Sequence, residues 1–231
     1  MSHSAPIHLR PTAPLGERVL LPGDPGRALA LAQALLQEPR MFNHHRGLWG
    51  YTGAAPDGEP LTIQATGMGG PSAAIVLEEL IRLGARRAIR VGTCGALSAD
   101  LELGELVIAS EAICADGTSR ALGAGAKASA DQKLTSTLLE HAPGAHIGTV
   151  VSVDLFYETE GRGAGEDALA VEMEAAALFA VGARHGFPVA CVLAVSDTFD
   201  GQGGRRRIDD RTLLASAERM GGAAIAALLS F

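Results

Sequence analysis

The sequence predicts one α/β domain, a buried sheet flanked by helices, on three observations. Short apolar runs of strand length alternate with helical patterns along the whole chain. The 231 residues are 47% hydrophobic and 19% charged, enough for one sizeable core. Val189 to Ser196 is a continuous apolar run, the pattern of a strand covered on both faces. No internal repeat and no composition break marks a linker, so residues 1–231 read as a single domain.

In order, Val19, Leu20 and Leu21 make a first strand that runs into Pro22-Gly23-Asp24-Pro25, and Arg27 to Leu36 is helical. Trp49 to Thr52 and Leu61 to Thr66 flank Pro56-Asp57-Gly58 and read as a hairpin. Ser72 to Leu83 is amphipathic, with Gly84 as its stop, and so reads as a helix. Ala88 to Val91 is a strand ending at Gly92-Thr93-Cys94-Gly95. Leu106 to Ala115 and Ile147 to Val153 are further strands, and Thr212 to Leu229 is a closing helix. Gly123 to Ala130 (Gly/Ala-rich) and Gly201 to Arg207 (Gly-rich, then three arginines) read as loose segments.

Glu172 and Glu174 head an apolar run that continues through Phe179 to Gly186-Phe187-Pro188 and reads as a helix. On a helix the two carboxylates lie roughly 200° apart, so one is expected in solvent and the other toward the core. A buried carboxylate is costly unless paired or hydrogen-bonded. A polar partner is therefore expected inside, and a sugar diol is a candidate. The plainer reading is two acids favoured by the helix dipole.

Ligands of α/β sheets gather at the carboxyl ends of strands. Three such ends are polar: Gly23 to Arg27, Gly92 to Gly95, and Ser196-Asp197. Glycine-rich turns into helices present N–H groups to anions, and Arg27 and Arg90 add guanidiniums that match phosphate geometry. No nucleotide P-loop occurs, and Gly67-Met68-Gly69-Gly70 is only a fragment of a dinucleotide fingerprint. Taken singly, these arginines read as ion-pairing residues, Asp24 as a turn-former, and Phe156 and Met68 as core. His44, His45 and Asp200 read as solvated.

A net charge of −7 argues against a nucleic-acid surface. Cys94, Cys114 and Cys191 are widely spaced and form neither a disulfide framework nor a zinc site, which fits a reduced cytoplasm. No segment reads as a signal peptide or a membrane span.

Read together, Leu21-Pro-Gly-Asp-Pro-Gly-Arg27, Arg46-Gly-Leu-Trp-Gly-Tyr-Thr-Gly53, Gly67-Met-Gly, Arg90-Val-Gly-Thr-Cys-Gly-Ala96, Asp154-Leu-Phe-Tyr157, Val171-Glu-Met-Glu-Ala175 and Val195-Ser-Asp197 carry a resemblance. In content and order they resemble the bacterial hexameric-type purine nucleoside phosphorylases, relatives of uridine phosphorylase. The resemblance covers nearly the whole chain, with shorter loops around residues 118–130 and 158–170.

It implies a nucleoside phosphorylase-I fold: a central mixed, partly barrel-like β-sheet flanked by helices. It also implies a phosphate site of Gly23, Arg27, Arg90 and Thr93, with Arg46 reaching into the neighbouring subunit's site. His8 would cross the interface toward the ribose 5′-hydroxyl. Met173 would lie against the sugar, and Glu174 would bind its 2′- and 3′-hydroxyls. Val171, Glu172, Met68 and Ser196 belong to the same nucleoside site. Phe156 would pack on the base and Asp197 would face its imidazole edge.

The implied reaction is phosphorolysis. Phosphate attacks the anomeric carbon, the sugar gains oxocarbenium character, and Asp197 protonates purine N7 as general acid. An arginine after the aspartate assists in the family, and Arg211 is the nearest candidate, with Arg207 second. No metal and no organic cofactor are implied, phosphate being a co-substrate. The partners are a nucleoside and phosphate, within a cytoplasmic homo-oligomer, a hexamer built as a trimer of dimers. Uridine phosphorylases carry a Gln/Arg pair after the Phe-Tyr motif. Glu158 to Arg162 lacks the glutamine, which favours purines. The alternatives are a uridine phosphorylase, a nucleosidase using water, or a non-catalytic nucleoside-binding protein.

Overall fold

A computed structural model describes residues 6–157, 167–199 and 204–231. Its strands are β1 (Arg18–Leu21), β2 (Gln37–Asn43), β3 (Gly50–Ala54), β4 (Pro60–Gln64), β5 (Arg87–Ala96), β6 (Leu106–Cys114), β7 (Lys127–Ser129), β8 (His146–Ser152), β9 (Ala170–Glu172), β10 (Val189–Phe199) and β11 (Arg205–Arg207). The helices are α1 (Pro25–Leu35), α2 (Gly70–Leu83), α3 (Gly117–Ala121), α4 (Gln132–Glu140), α5 (Ala175–His185) and α6 (Asp210–Ser230).

The strands form one mixed sheet that partly closes. β10 pairs with β6, β6 with β8, β8 with β9, β9 with β5, and β5 again with β10, making a ring. From β5 the sheet runs outward through β1, β4, β3 and β2. The expected mixed, partly barrel-like sheet is therefore present. Period-2 alternation sends each strand's residues to two separate cores. Val19 and Leu21 with Cys191, Leu193 and Val195 join the cluster under α2 and α5. Leu20 with Ala190, Val192 and Ala194 join the cluster under α1, α4 and α6. This two-sided burial explains the unbroken apolar run at β10.

β5 carries a fork. Its Arg87–Arg90 half pairs with β1, and Gly95–Ala96 pair with β9, while β10 runs along its length. Since β10 occupies one edge, β1 and β9 share the other and part between Arg90 and Gly95. The sequence reading ended this strand at Val91 and placed a glycine turn at 92–95; instead the strand continues through those glycines to Ala96.

Other elements differ as well. α5 begins at Ala175, because Val171 and Glu172 are drawn into the ring as β9. Part of the Gly123 to Ala130 stretch pairs with β6 as β7, and the three arginines pair with β10 as β11. β2, α3 and α4 were not expected, although α4 is amphipathic, with Asp131 as its N-cap and Leu134 and Leu138 on its buried face. Glu158 to Arg162, Asp200 and Gly201 lie outside the described residues. α6 is long and apolar enough to cross a membrane, yet half of that window is buried in the fold.

Candidate active site

A cavity of about 490 Å³ opens at the fork. The turn after β1, the glycine segment of β5, the end of β9 and the end of β10 line it. Of the expected residues, Gly23, Arg27, Arg46, Met68, Arg90, Thr93, Phe156, Val171, Glu172, Met173, Glu174, Ser196 and Asp197 are there; His8 and Arg211 are not.

One side is cationic. Asp24 caps α1, accepting from the Arg27 N–H at 2.6 Å, so the turn after β1 is fixed by its own acid. Arg27 follows, half-buried, its pKa lowered first by lost hydration and further by Arg90, against Asp24 and Glu174. Arg90 is 3% exposed. Its Nε donates to Glu172 Oε2 at 3.1 Å and its Nη2 to Glu174 Oε2 at 2.5 Å. Burial works against this charge, but Glu174 and Glu172 outweigh it and raise the Arg90 pKa. Nη1 has no hydrogen-bond partner among the described residues, and a Cβ placed on Gly23 would stand 4.0 Å from it. A buried guanidinium edge beside a glycine turn is a fitting donor for an anion.

The carboxylates correct the helical-face argument. Both are buried, Glu172 at 5% and Glu174 at 6%, because residue 172 lies on a strand and residue 174 is the N-cap of α5. Glu174 Oε1 also accepts from Gly69 N–H at 2.6 Å. Gly67 and Gly69 take positive φ angles of 74° and 86°, which bring that amide in. Arg90 and Gly69 satisfy Glu174 without a diol, leaving further acceptor capacity toward the cavity.

Glu172 holds the corner together. It accepts from the N–H groups of Glu174 at 2.8 Å and Ala175 at 2.9 Å, and from Ser152 Oγ. Ser152 Oγ in turn accepts from Ala176 N–H at 2.9 Å. The free N–H groups at the start of α5 are thus met by side chains from β8 and β9. Burial pushes the Glu172 carboxyl up, Arg90 opposes it, and Glu174 adds to the rise.

At the far end Asp197 is 5% exposed. Its Oδ2 accepts from Ser196 Oγ at 2.7 Å, and its Oδ1 from Arg205 Nε at 2.7 Å. Arg207 Nη1 lies 3.9 Å from the same oxygen. The Arg205 guanidinium also sits 4.8 Å from the Phe156 ring centre, and Tyr157 meets Phe156 edge-on at 5.1 Å.

Residues 17–230 match the family described as the Phosphorylase superfamily. The chain belongs to this superfamily. It is similar to proteins named purine nucleoside phosphorylase DeoD-type. That of Oceanobacillus iheyensis is 36% identical over 195 residues, covering 79% of this chain and 83% of that protein. Those of Geobacillus kaustophilus and Clostridium perfringens are each 38% identical, over 196 and 194 residues, covering 80% and 79% of this chain and 83% and 82% of theirs.

Within this phosphorylase-superfamily site, the arginine expected beside Asp197 is corrected. Arg211 stands exposed in the first turn of α6, outside the cavity, and Arg205 occupies that position. The signal lay in strand alternation, since Arg205 and Arg207 share one face of β11 and Arg206 takes the other.

His8 lies outside the cavity, held against α2. Buried Glu79 on α2 accepts from the N–H groups of Ile7, His8 and Leu9, and from His8 Nδ1 at 2.8 Å. These bonds outweigh burial and lower the Glu79 carboxyl pKa. Arg46, with φ 59°, lines the cavity of its own chain. Burial raises the Cys94 and Cys191 thiols, which removes them as nucleophiles. Among the described residues no cluster of three or more His, Cys, Asp or Glu has the arrangement to hold a metal.

Proposed function

We propose that this chain is a purine nucleoside phosphorylase, cleaving purine ribo- and deoxyribonucleosides with phosphate to free base and pentose 1-phosphate. The observation that carries the reading is Arg90, bonded to both glutamates while its remaining nitrogen faces the Gly23 turn. The relatives' names support the same activity.

Phosphate sits among Gly23, Arg27, Arg90 and Thr93. Its oxygen bonds to the anomeric carbon as the glycosidic bond breaks, and the bond's electron pair leaves with the base. Phosphate and Glu174 set negative charge beside the oxocarbenium-like sugar. Glu174, next to Met173, binds the ribose hydroxyls with its remaining lone pairs.

Asp197 gives a proton to N7. When it carries that proton, the Ser196 hydroxyl can turn and accept from Oδ2. Arg205 takes the assisting role. No metal or organic cofactor enters this scheme. The chain works in the cytoplasm as a homo-oligomer, a hexamer in this reading, with Arg46 and His8 serving a neighbour's site.

The test is turnover of inosine, adenosine and uridine with and without phosphate, following free base. Phosphate-dependent release of a purine with ribose 1-phosphate is expected. Release without phosphate makes it a nucleosidase, and preference for uridine makes it a uridine phosphorylase. For shared sites, inactive Arg46→Ala and Glu174→Ala variants are mixed under shown subunit exchange; recovered activity is expected, and none refutes sharing.

A further inference from the structure

The turn His45–Gly47, between β2 and β3, carries Arg46 to the cavity that Arg27 and Arg90 also line. Arg46 is left-handed there, with φ 59° and ψ 22°, and Gly47 follows with φ 71°. A residue with a Cβ rarely adopts that region. One that does is held there by its surroundings, and such positions cluster at functional sites.

Two buried amides do the holding. Asn43 ends β2, Gln64 ends β4, and both are 0% exposed. Asn43 Nδ2 donates to the Leu48 carbonyl at 2.6 Å, and its Oδ1 accepts from the Arg10 N–H at 2.9 Å. The same amide reaches the carbonyl and the N–H of His45, each at 3.4 Å. Gln64 Nε2 donates to the Leu48 carbonyl at 2.9 Å and to the Ala65 carbonyl at 2.8 Å. The Ala65 N–H in turn donates to the Trp49 carbonyl at 3.0 Å. The Arg46 turn is thus fastened to the chain that leads into Gly67, which also lines the cavity.

Gln64 Oε1 has no hydrogen-bond partner among the described residues. Burying that acceptor is costly, and an apolar side chain would fill the place without the cost. What the glutamine supplies is its donor side, the grip on Leu48 and Ala65.

We propose that Asn43 and Gln64 are positioning residues for anion binding, fixing the Arg46 turn so that its guanidinium meets phosphate, an assignment that rests on the phosphorylase reading for the identity of the anion. Neither residue lines the cavity, so both act through Arg46. Without the grip, residue 46 relaxes toward the common negative φ and its side chain leaves the cavity wall. The grip lies within one chain, so it sets Arg46 alike for its own cavity or a neighbour's.

A double-mutant cycle separates this role from a general structural one. Phosphate KM, with nucleoside saturating, is measured on the wild-type protein, Asn43→Ala, Arg46→Ala and the double variant. Asn43→Ala should raise phosphate KM about tenfold, below the roughly hundredfold that a misplacement of about 1 Å can cost. Nucleoside KM should stay nearly unchanged. In the Arg46→Ala background the same substitution should add nothing. An equal penalty in both backgrounds makes Asn43 merely structural and overturns the proposal. So does an unchanged phosphate KM in either single variant.

Should Asn43→Ala fail to fold, Gln64→Met takes its place in the cycle. Methionine keeps the length and leaves Asn43 on Leu48, so a smaller rise with the same dependence on Arg46 is expected, and additivity again refutes the role. Calorimetric titration of inorganic phosphate into the same four proteins repeats the cycle without turnover. If no nucleoside is turned over, the phosphorylase reading fails while the phosphate dissociation constants still decide the coupling. No phosphate binding to the wild-type protein overturns the proposal.

Discussion

Arg90 Nη2 stands 2.5 Å from Glu174 Oε2, so the cationic and sugar-facing sides of the cavity are joined by one buried ion pair. Glu174→Gln keeps the shape and one acceptor but removes the charge that holds Arg90. If the pair acts as a unit, kcat/KM for nucleoside and for phosphate should each fall about 10- to 100-fold, the scale of a charged hydrogen bond. Loss confined to the nucleoside KM would show that the two sides act separately.

Gly92 is expected to be irreplaceable for a related reason. A Cβ there would stand 2.7 Å from Arg90 Cζ and 2.9 Å from Leu193 Cδ2. Gly92→Ala should displace the guanidinium from both glutamates. Phosphate KM should rise at least about tenfold, the scale of a misplaced charged donor, with a far smaller change in thermal midpoint. An unchanged phosphate KM would mean that Arg90 does not serve the anion.

Glu172 should report on stability more than on any single substrate. Glu172→Ala leaves Arg90 Nε and the N–H groups of Glu174 and Ala175 unpaired in the interior. Removing one partner of a buried pair costs on the order of 3–5 kcal/mol, read as a lower midpoint in chemical denaturation. A loss below about 1 kcal/mol would place the corner in contact with solvent.

These residues show how much of the site was legible in the sequence. The motifs named Arg90, Glu172, Glu174 and Asp197, and apolar runs located β1, β6, β8 and β10. Strand pairing was not legible, because it depends on non-local register. A helical period applied to Glu172 and Glu174 failed once residues 170–172 were taken into the ring between β5 and β8. The same blindness hid Arg205, whose polar strand has no apolar rhythm and is set by its pairing with Thr198 and Phe199. Glu79 was missed because an acid on an amphipathic helix ordinarily faces water, whereas here it receives an N-terminal segment seventy residues away in sequence.

Acid sensitivity should have a contribution from Asp57. Both Arg18 terminal nitrogens bond its carboxylate, at 2.6 and 3.0 Å, and hold its carboxyl at about 2 against an ordinary 3.8. A folded-state value below the unfolded one gives stability that is complete above about pH 4 and lost as pH falls toward 2. Asp57→Asn should lower the thermal midpoint at pH 6, yet lose less than the wild type between pH 6 and pH 2.5. Parallel curves for the two proteins would show that the Arg18 contact contributes nothing to acid unfolding.

Asp197→Asn tests proton donation apart from binding. Asparagine preserves size and can accept from Arg205 or Ser196, but has no proton to give at this pH. Natural purine nucleosides, whose base leaves poorly without protonation at N7, should lose about 10²- to 10⁴-fold in kcat, the range of general acid catalysis. A nucleoside whose base is already activated, such as one methylated at N7, needs no proton and should lose far less. Equal loss on both kinds of substrate would mean that Asp197 orients the base through Arg205 and Ser196 without supplying the proton. The donor would then have to be sought elsewhere in the site.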